Sequence, residues 1–236
     1  MECYSESNDK FVRKVLFNKH STFDGSLELS FQADNISELS SYFPRWVGCR
    51  WNYVISAKQA RTSISDEVTS EADRLVLRTI RSQSDLIITT GKTAEAEQLK
   101  ASIYAPMLVL TNNSAIDFPG LHSESQHPVL LTIRHGSFSN SKVSCIGPTS
   151  GRLSDWLTAQ TQKYTSKVYE GGIDTGVSLV NACYVSQICL SVTAADNFND
   201  SINAAQLFLA RTSMEFNLIQ VLESEGTWFF TFQGNS

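Results

Sequence analysis

Two glycine-bearing corners carry the residues of this chain best suited to chemistry. The first is Thr89-Thr90-Gly91-Lys92-Thr93, which follows the apolar run Leu86-Ile87-Ile88 and precedes the helix-forming Ala94-Glu95-Ala96-Glu97-Gln98-Leu99-Lys100. The second is Glu170-Gly171-Gly172, which follows Ser166-Lys167-Val168-Tyr169 and precedes a helical stretch from Thr175 to Ala182. A strand that turns on glycine into a helix presents free backbone N–H groups and a positive helix end, a combination suited to phosphate. Glycine adds close approach, because no Cβ stands between backbone and ligand. Two such corners in one parallel sheet would flank a dinucleotide at the carboxyl edge, or would simply be two tight turns. Gly91-Lys92-Thr93 looks like the end of a nucleotide-binding P-loop. That loop needs a glycine five positions earlier, where Leu86 stands, so the P-loop pattern is incomplete.

Other reactive residue types make no constellation. His20, His122, His127 and His135 lack metal-ligand spacing, and no Gly-x-Ser-x-Gly elbow marks a hydrolase. Arg74, Arg78 and Arg81 form a helical series that suits either phosphate or a solvated, salt-bridged face.

The elements that would position these corners alternate. Ser37 to Tyr42 reads as a helical turn ended by Pro44, and Trp51 to Ser56 as an aromatic-rich strand. Thr69-Ser70-Glu71-Ala72 starts a helix that runs to about Ser82, with hydroxyl caps and acids in the first turn. A strand at Asp85, a helix over 94–102 and a strand at Pro106 to Thr111 follow. Beyond a polar loop at 112–128, strands are expected at 129–133 and 142–146, and a helix from Ser154 to Tyr164. The strand Ser166 to Glu170, the 175–182 helix and an alternating strand from Val185 to Val192 come next. Met214 to Glu223 and Thr227 to Gln233 read as paired strands joined at Glu225-Gly226. Alternation of this kind predicts an α/β fold: a three-layer, mostly parallel mixed sheet with helices on both faces and an antiparallel C-terminal strand pair. A turn at Asp24-Gly25 between Phe11 to Phe17 and Leu27 to Phe31 falls in an N-terminal extension, residues 1–38, before the main domain at 39–236.

At 236 residues and 42% hydrophobic content the chain has enough material for one large core. Its net charge of −5 gives no general basic field for nucleic acid or an anionic membrane. The polar, acidic N-terminus does not read as an ordinary signal peptide, and the scattered cysteines read as reduced thiols, so a cytoplasmic protein is expected.

The order of several stretches resembles the pyrimidine reductases of riboflavin biosynthesis. The stretches are Arg50-Trp51-Asn52-Tyr53-Val54-Ile55-Ser56, Thr69 to Arg78, Ser84-Asp85-Leu86-Ile87-Ile88 with Thr93 and Glu97, Tyr169-Glu170-Gly171-Gly172, and Gly226-Thr227-Trp228-Phe229-Phe230. The resemblance covers roughly Leu39 to Phe232 and implies a dihydrofolate-reductase-like fold, NADPH as cofactor and a ribosylaminopyrimidine phosphate as small-molecule substrate. It implies cofactor contacts at Thr89, Thr90, Gly91, Thr93, Glu170, Gly171 and Gly172. Substrate contacts are implied at Asn52, Ser56 and Lys58, and a homodimer is implied by analogy with the family.

The chain departs from the family pattern in definite places. Where the family has Ser-Leu-Asp-Gly, this chain has Ser56-Ala57-Lys58-Gln59; an acid has become a cation. Glu95 stands where an arginine is usual, and only Gly91 remains of two glycines near it. Asp174 follows the second corner, where it suits the helix dipole and repels a pyrophosphate. An alternative that these changes motivate is a non-catalytic descendant of the fold that serves as a binding or scaffold protein.

Overall fold

A computed structural model describes residues 36–58, 70–123, 125–133, 144–145 and 151–235. The turn expected at Asp24-Gly25 lies outside them. The strands are β1 (Gly48–Ser56), β2 (Leu86–Thr90), β3 (Met107–Thr111), β4 (Val129–Ile133), β5 (Ser144–Cys145), β6 (Ser166–Tyr169), β7 (Gln187–Thr193), β8 (Phe216–Ser224) and β9 (Thr227–Gly234). The helices are α1 (Ile36–Leu39), α2 (Glu71–Ser82), α3 (Gly91–Ala96), α4 (Leu153–Thr161), α5 (Ile173–Asn181) and α6 (Phe198–Leu209). Among the described residues the strands form one 9-stranded sheet in the order β5-β4-β3-β2-β6-β1-β7-β9-β8. All neighbours are parallel except β7–β9 and β8–β9. The expected α/β architecture, with its antiparallel C-terminal pair, is what the chain adopts.

Successive residues of a strand point to opposite faces, and that period divides the core into two layers. Trp51, Leu86, Ile88 and Leu108 pack with Leu157 of α4, Leu179 of α5 and Phe208 of α6. Ile87, Met107, Val109 and Val168 pack with Leu39 of α1, Val76 and Ile80 of α2, and Ala94 of α3. Helices therefore cover both faces, as a largely parallel sheet requires. None of the helices is long and apolar enough to cross a membrane, among the described residues.

Local chemistry accounts for most element boundaries. Ser70 caps α2 by accepting from the Asp73 amide, and Asn197 caps α6 by accepting from the Asp200 amide. Glu225 and Gly226, at φ 51° and 73°, make the two-residue turn between β8 and β9. The helix expected over 94–102 starts instead at Gly91 and stops at Ala96. Gln98 takes φ 46°, and the amides of Gln98 and Leu99 bond back to the carbonyls of Glu95 and Ala94. That Schellman-type ending releases Leu99 to pack against the core, and burial there outweighs the helix propensity of the residues beyond. The expected alternation of β7 is absent: every residue from Gln187 to Thr193 is buried, because β7 sits inside the sheet with layers on both faces. The sequence reading placed no element over 198–209, where α6 lies. Its signal was present in the Asn197 cap and in Phe198, Ile202, Ala205, Phe208 and Leu209, spaced for one apolar face.

Gly176 of α5 lies directly over Trp51. A Cβ at Gly176 would stand 2.2 Å from the indole ring. That ring is fully buried and held against Tyr53, Tyr169 and Phe208 at centroid distances of 5.4, 6.1 and 5.1 Å, so it has no direction in which to yield. Gly176→Ala would gain about 1 kcal/mol of helix propensity. Overpacking costs about 1–3 kcal/mol, and against a pinned ring the upper part of that range applies. A net loss of about 1–2 kcal/mol is expected, read as a lower urea midpoint at unchanged m-value.

Candidate functional site

The carboxyl ends of the central strands open into a cleft of about 910 Å³. Its described lining comes from Tyr53 of β1, the β2–α3 corner from Thr90 to Thr93, Leu110 to Asn113 at the exit of β3, and Thr132 of β4. Gly151 and Leu153 at the start of α4 and Gly172 to Thr175 at the start of α5 complete it. From β1 through β6, β2 and β3 to β4 there are four interstrand steps. At about 4.8 Å each the cleft spans roughly 19 Å of sheet edge. It opens on the α4–α5 face, since Thr90, Leu110 and Thr132 share strand parity with Ile88, Leu108 and Leu130 of that layer.

Helix starts converge on this cleft. Neither α4 nor α5 has a side-chain cap, so no N-cap side chain takes up their first amides. Gly172 is the N-cap of α5, and a Cβ built there would meet nothing within 4 Å. Gly171 is different: a Cβ there would lie 2.3 Å from the Tyr169 hydroxyl. That hydroxyl donates to the Gly172 carbonyl at 3.0 Å, and burial pushes its pKa up, so it remains a neutral donor. Gly91 is packed as tightly, with Thr111 Oγ1 2.6 Å from where its Cβ would be. Thr90 caps α3 and shares a 2.9 Å hydroxyl–hydroxyl bond with Thr93.

Charged groups are sparse along the described lining: Lys92, Glu95 and Asp174. Lys92 and Asp174 are exposed. Glu95 directs Oε1 toward loop 113–117, accepting long hydrogen bonds from Asn113 Nδ2 at 3.5 Å and the Asp117 amide at 3.4 Å.

The sheet separates the residues that the resemblance groups together. Thr90, Gly91, Thr93 and Gly172 line the cleft. Asn52, Ser56, Thr89 and Glu170 lie on the opposite, α2-facing side by strand parity, and none of them lines the cleft among its described residues. Thr89 Oγ1 donates to the Glu170 carbonyl at 2.9 Å. The Glu170 carboxylate holds Arg81 bidentately: Arg81 Nε reaches both oxygens at 3.0 Å and Nη2 reaches Oε2 at 2.6 Å. The Arg81 end of the arginine series is thus an ion-paired anchor. Lys58 lies elsewhere again, donating to Asp196 Oδ1 at 2.8 Å beside a hollow of about 340 Å³ shared with Asp200, Asn203 and Leu207.

One residue beside this layer escaped the sequence reading, which treated it only as a first-turn acid. Asp73 of α2 is 4% exposed. Burial raises its pKa to about 6, opposed by a hydrogen bond from Ser191 and by the nearby Arg74 charge, while Glu170 adds to the rise. Its Oδ1 and that of Asn52 have no hydrogen-bond partner among the described residues. An orphaned buried acceptor costs about 1–3 kcal/mol. At the other end of the strands, desolvation of Asp85 is outweighed by hydrogen bonds from Arg45, the Ser166 amide and Thr165, which hold its carboxyl at about 2. Burial takes the Cys49 thiol up to about 12, out of reach of nucleophilic chemistry.

Solved structures with the same fold include a pyrimidine reductase-like protein from Corynebacterium diphtheriae, 17% identical, with a TM-score of 0.61 over 84% of this chain and 95% of that one. A diaminohydroxyphosphoribosylaminopyrimidine deaminase/5-amino-6-(5-phosphoribosylamino)uracil reductase from Thermotoga maritima is 10% identical, with a TM-score of 0.63 over 85% of this chain and 60% of that one. The riboflavin biosynthesis reductase of Saccharomyces cerevisiae is 13% identical, with a TM-score of 0.59 over 84% of this chain and 98% of that one. The chain spans about 60% of the length of the Thermotoga protein. No family model matches the sequence, and no curated protein does. The fold is that of the pyrimidine reductases.

The buried carboxyl of Asp73 has a consequence for stability. With its pKa raised from 3.8 to about 6 on folding, the folded state binds the proton more tightly than the unfolded chain. Its contribution is complete below about pH 4 and is lost as pH rises through 6. A shift of that size is worth about 3 kcal/mol. Asp73→Asn is expected to flatten the decline between pH 4 and pH 7.5 by about that amount, measured as urea-unfolding free energies at the two pH values.

Proposed function

We propose that this protein is an NADPH-dependent reductase of the pyrimidine-reductase kind, with the dinucleotide along the carboxyl-edge cleft. The observation that carries the reading is the cleft itself. It runs over five neighbouring strand ends, and the uncapped starts of α4 and α5 border it. That length suits an extended dinucleotide, and free amides at helix starts suit its pyrophosphate. The residues present fit such a group. Gly172 leaves open space where any side chain would intrude, and Glu95 is turned onto loop 113–117.

Thr90, Gly91, Thr93, Gly172 and the amides of Ile173 to Thr175 would hold the cofactor, with Lys92 as the nearby cation. Bound NADPH supplies a hydride for a carbon–nitrogen or carbon–oxygen double bond. The chain's tasks are to orient the substrate, to exclude water and to deliver a proton. Tyr53 at the inner end of the cleft is backed by Phe208, stacked at 5.5 Å, which gives a fixed aromatic wall. Asn52 and Ser56 would meet the substrate from the other side of β1, a small imine- or carbonyl-bearing molecule related to a ribosylaminopyrimidine phosphate. Glu170 and Thr89 would act indirectly, by fixing the turn that ends in Gly172. Lys58, paired with Asp196, is left out of this assignment.

A second reading, a non-catalytic binding or scaffold protein, is favoured by that same pair. An acid is usual at position 58 in the family, and the lysine here is neutralised by an exposed carboxylate rather than aimed at the cleft.

Titration of the protein with NADPH and NADH, followed by nicotinamide fluorescence, separates the two readings. Saturable micromolar binding is expected; no binding of either nucleotide favours the scaffold. Gly172→Asp sharpens the test. An N-cap aspartate stabilises the helix start, and nothing nearby obstructs it. It also places a carboxylate where the pyrophosphate would sit. Nucleotide affinity is expected to fall at least ~10-fold while the melting temperature holds or rises.

A further inference from the structure

The outer edge of the sheet, at β8, is left incomplete by the described elements. Among the described residues β9 is the one strand that neighbours β8. The two-residue turn at Glu225-Gly226 makes Ser224 and Thr227 the pair that exchanges both backbone hydrogen bonds. Alternation from that pair turns the N–H and C=O of Glu223 and Val221 away from β9. Among the described residues no backbone hydrogen bond reaches these outward groups. An open edge would leave them in water. Instead Gln220, Val221 and Leu222 are 4%, 1% and 1% exposed. Packing on the two faces of a sheet covers side chains and does not close the side of a strand. Buried backbone N–H and C=O groups nearly always have partners, so a strand belongs at this edge.

The place has a definite length. The register of β8 on β9 shifts between Leu218 and Gln220, and such a bulge bends a strand and interrupts its ladder. The residues before it, Phe216 to Ile219, are half-buried. The regular edge is therefore the five residues from Gln220 to Ser224. It carries no lysine and no proline, the residues that commonly keep an edge from pairing, and its single charge is Glu223.

The chain itself has a matching segment. Leu27-Glu28-Leu29-Ser30-Phe31 is also five residues long, and its apolar and polar residues alternate as in a strand with one face in a core. The place where the chain enters the described structure favours it. α1 starts at Ile36, and its Leu39, with Phe43 just beyond, packs in the layer that holds Leu222 and Phe229. The Phe43 ring meets the Phe229 ring edge-on at 6.5 Å, and Phe229 is the cross-strand partner of Leu222. Phe31 stands five residues before Ile36, a reach of up to about 18 Å, whereas a neighbouring strand lies only about 4.8 Å away. The other strand-like run, Phe11 to Phe17, is much farther from Ile36 and has Arg13 and Lys14 near its centre, two charges ill suited to a buried edge.

We propose that Leu27 to Phe31 pairs along Gln220 to Ser224 as a further strand and closes the sheet edge within the same chain. Its backbone takes up the outward N–H and C=O of Val221 and Glu223, and Leu27, Leu29 and Phe31 extend the apolar layer that holds Leu39 and Phe43. The N-terminal extension is thereby an edge guard. Without it β8 offers a bare ladder to any other strand, a second copy of this chain included. The proposal is independent of what the cleft binds.

Hydrogen exchange of the full chain, resolved to single amides by NMR, tests it. The amides of Val221 and Glu223, and alternate amides from Leu27 to Phe31, should exchange at least ~100-fold more slowly than in an open chain. Leu29→Pro breaks the added ladder and should speed exchange at Val221 at least ~10-fold, while Tyr53 and Leu190 in the β1–β7 ladder keep their rates. Ser5→Pro, outside the segment, is the control and should change neither. The protection should be the same at low and high protein concentration, as expected for pairing within one chain. Should Leu29→Pro unfold the chain, the exchange pattern of the unsubstituted protein decides by itself. Fast exchange across residues 27–31 overturns the proposal, as does Val221 protection that survives Leu29→Pro in a folded chain. Protection that rises with protein concentration also overturns it, by assigning the edge to a second copy.

Discussion

The bidentate ion pair between Arg81 and Glu170 is the contact on which the arrangement of the cleft depends. It joins the last turn of α2 to the residue that follows β6, and both side chains are largely withdrawn from water. Glu170 is fixed three times over: its carboxylate by Arg81, its carbonyl by Thr89 Oγ1, and its amide by the Ile88 carbonyl. A buried carboxylate left without its arginine would carry an uncompensated desolvation cost, so geometry and charge are both satisfied only in this turn. Gly171 then passes under Tyr169, Gly172 opens onto the cleft, and α5 begins where it does. The start of α5 is positioned from the far side of the sheet.

The sheet also explains why the candidate residues fall into two groups. Thr89 and Thr90 are consecutive, yet one braces Glu170 and the other caps α3 beside the cleft. Tyr53 and Asn52 divide in the same way, one onto the cleft and one beneath α2. A strand can serve both layers only by alternation, so a two-sided site built at its end must draw on neighbouring residues that never meet.

The family departures acquire physical partners in the fold. Lys58 finds Asp196, from the loop that leads into α6. Glu95 finds the loop after β3, which is anchored in turn by Ile116 and Phe118 at 3% and 2% exposure. Lys58 and Glu95 are absorbed locally, whereas Asp174 stays exposed on the cleft lining, so the backbone of the corner survives while its electrostatics change.

What the sequence alone determined is the local part of this structure. Alternating apolar runs and capped helices specified the α/β order. The Ser70 cap, the Glu225-Gly226 turn and the two glycine corners are legible because they depend on φ, ψ and hydrogen bonds within a few residues. The end of α3 at Ala96 and the even burial of β7 were decided by tertiary packing. Leu99 leaves the helix for a core contact, and β7 is flanked on both faces. The division of the site was likewise beyond the sequence, since which residues face one another depends on strand order. β2 lies beside β6, and β6 beside β1, although long stretches of chain separate them. The burial of Asp73 belongs to the same class. Its position in a first helical turn is a local fact, whereas its raised pKa and unpaired oxygen arise only because α2 is laid against the ends of β1 and β7.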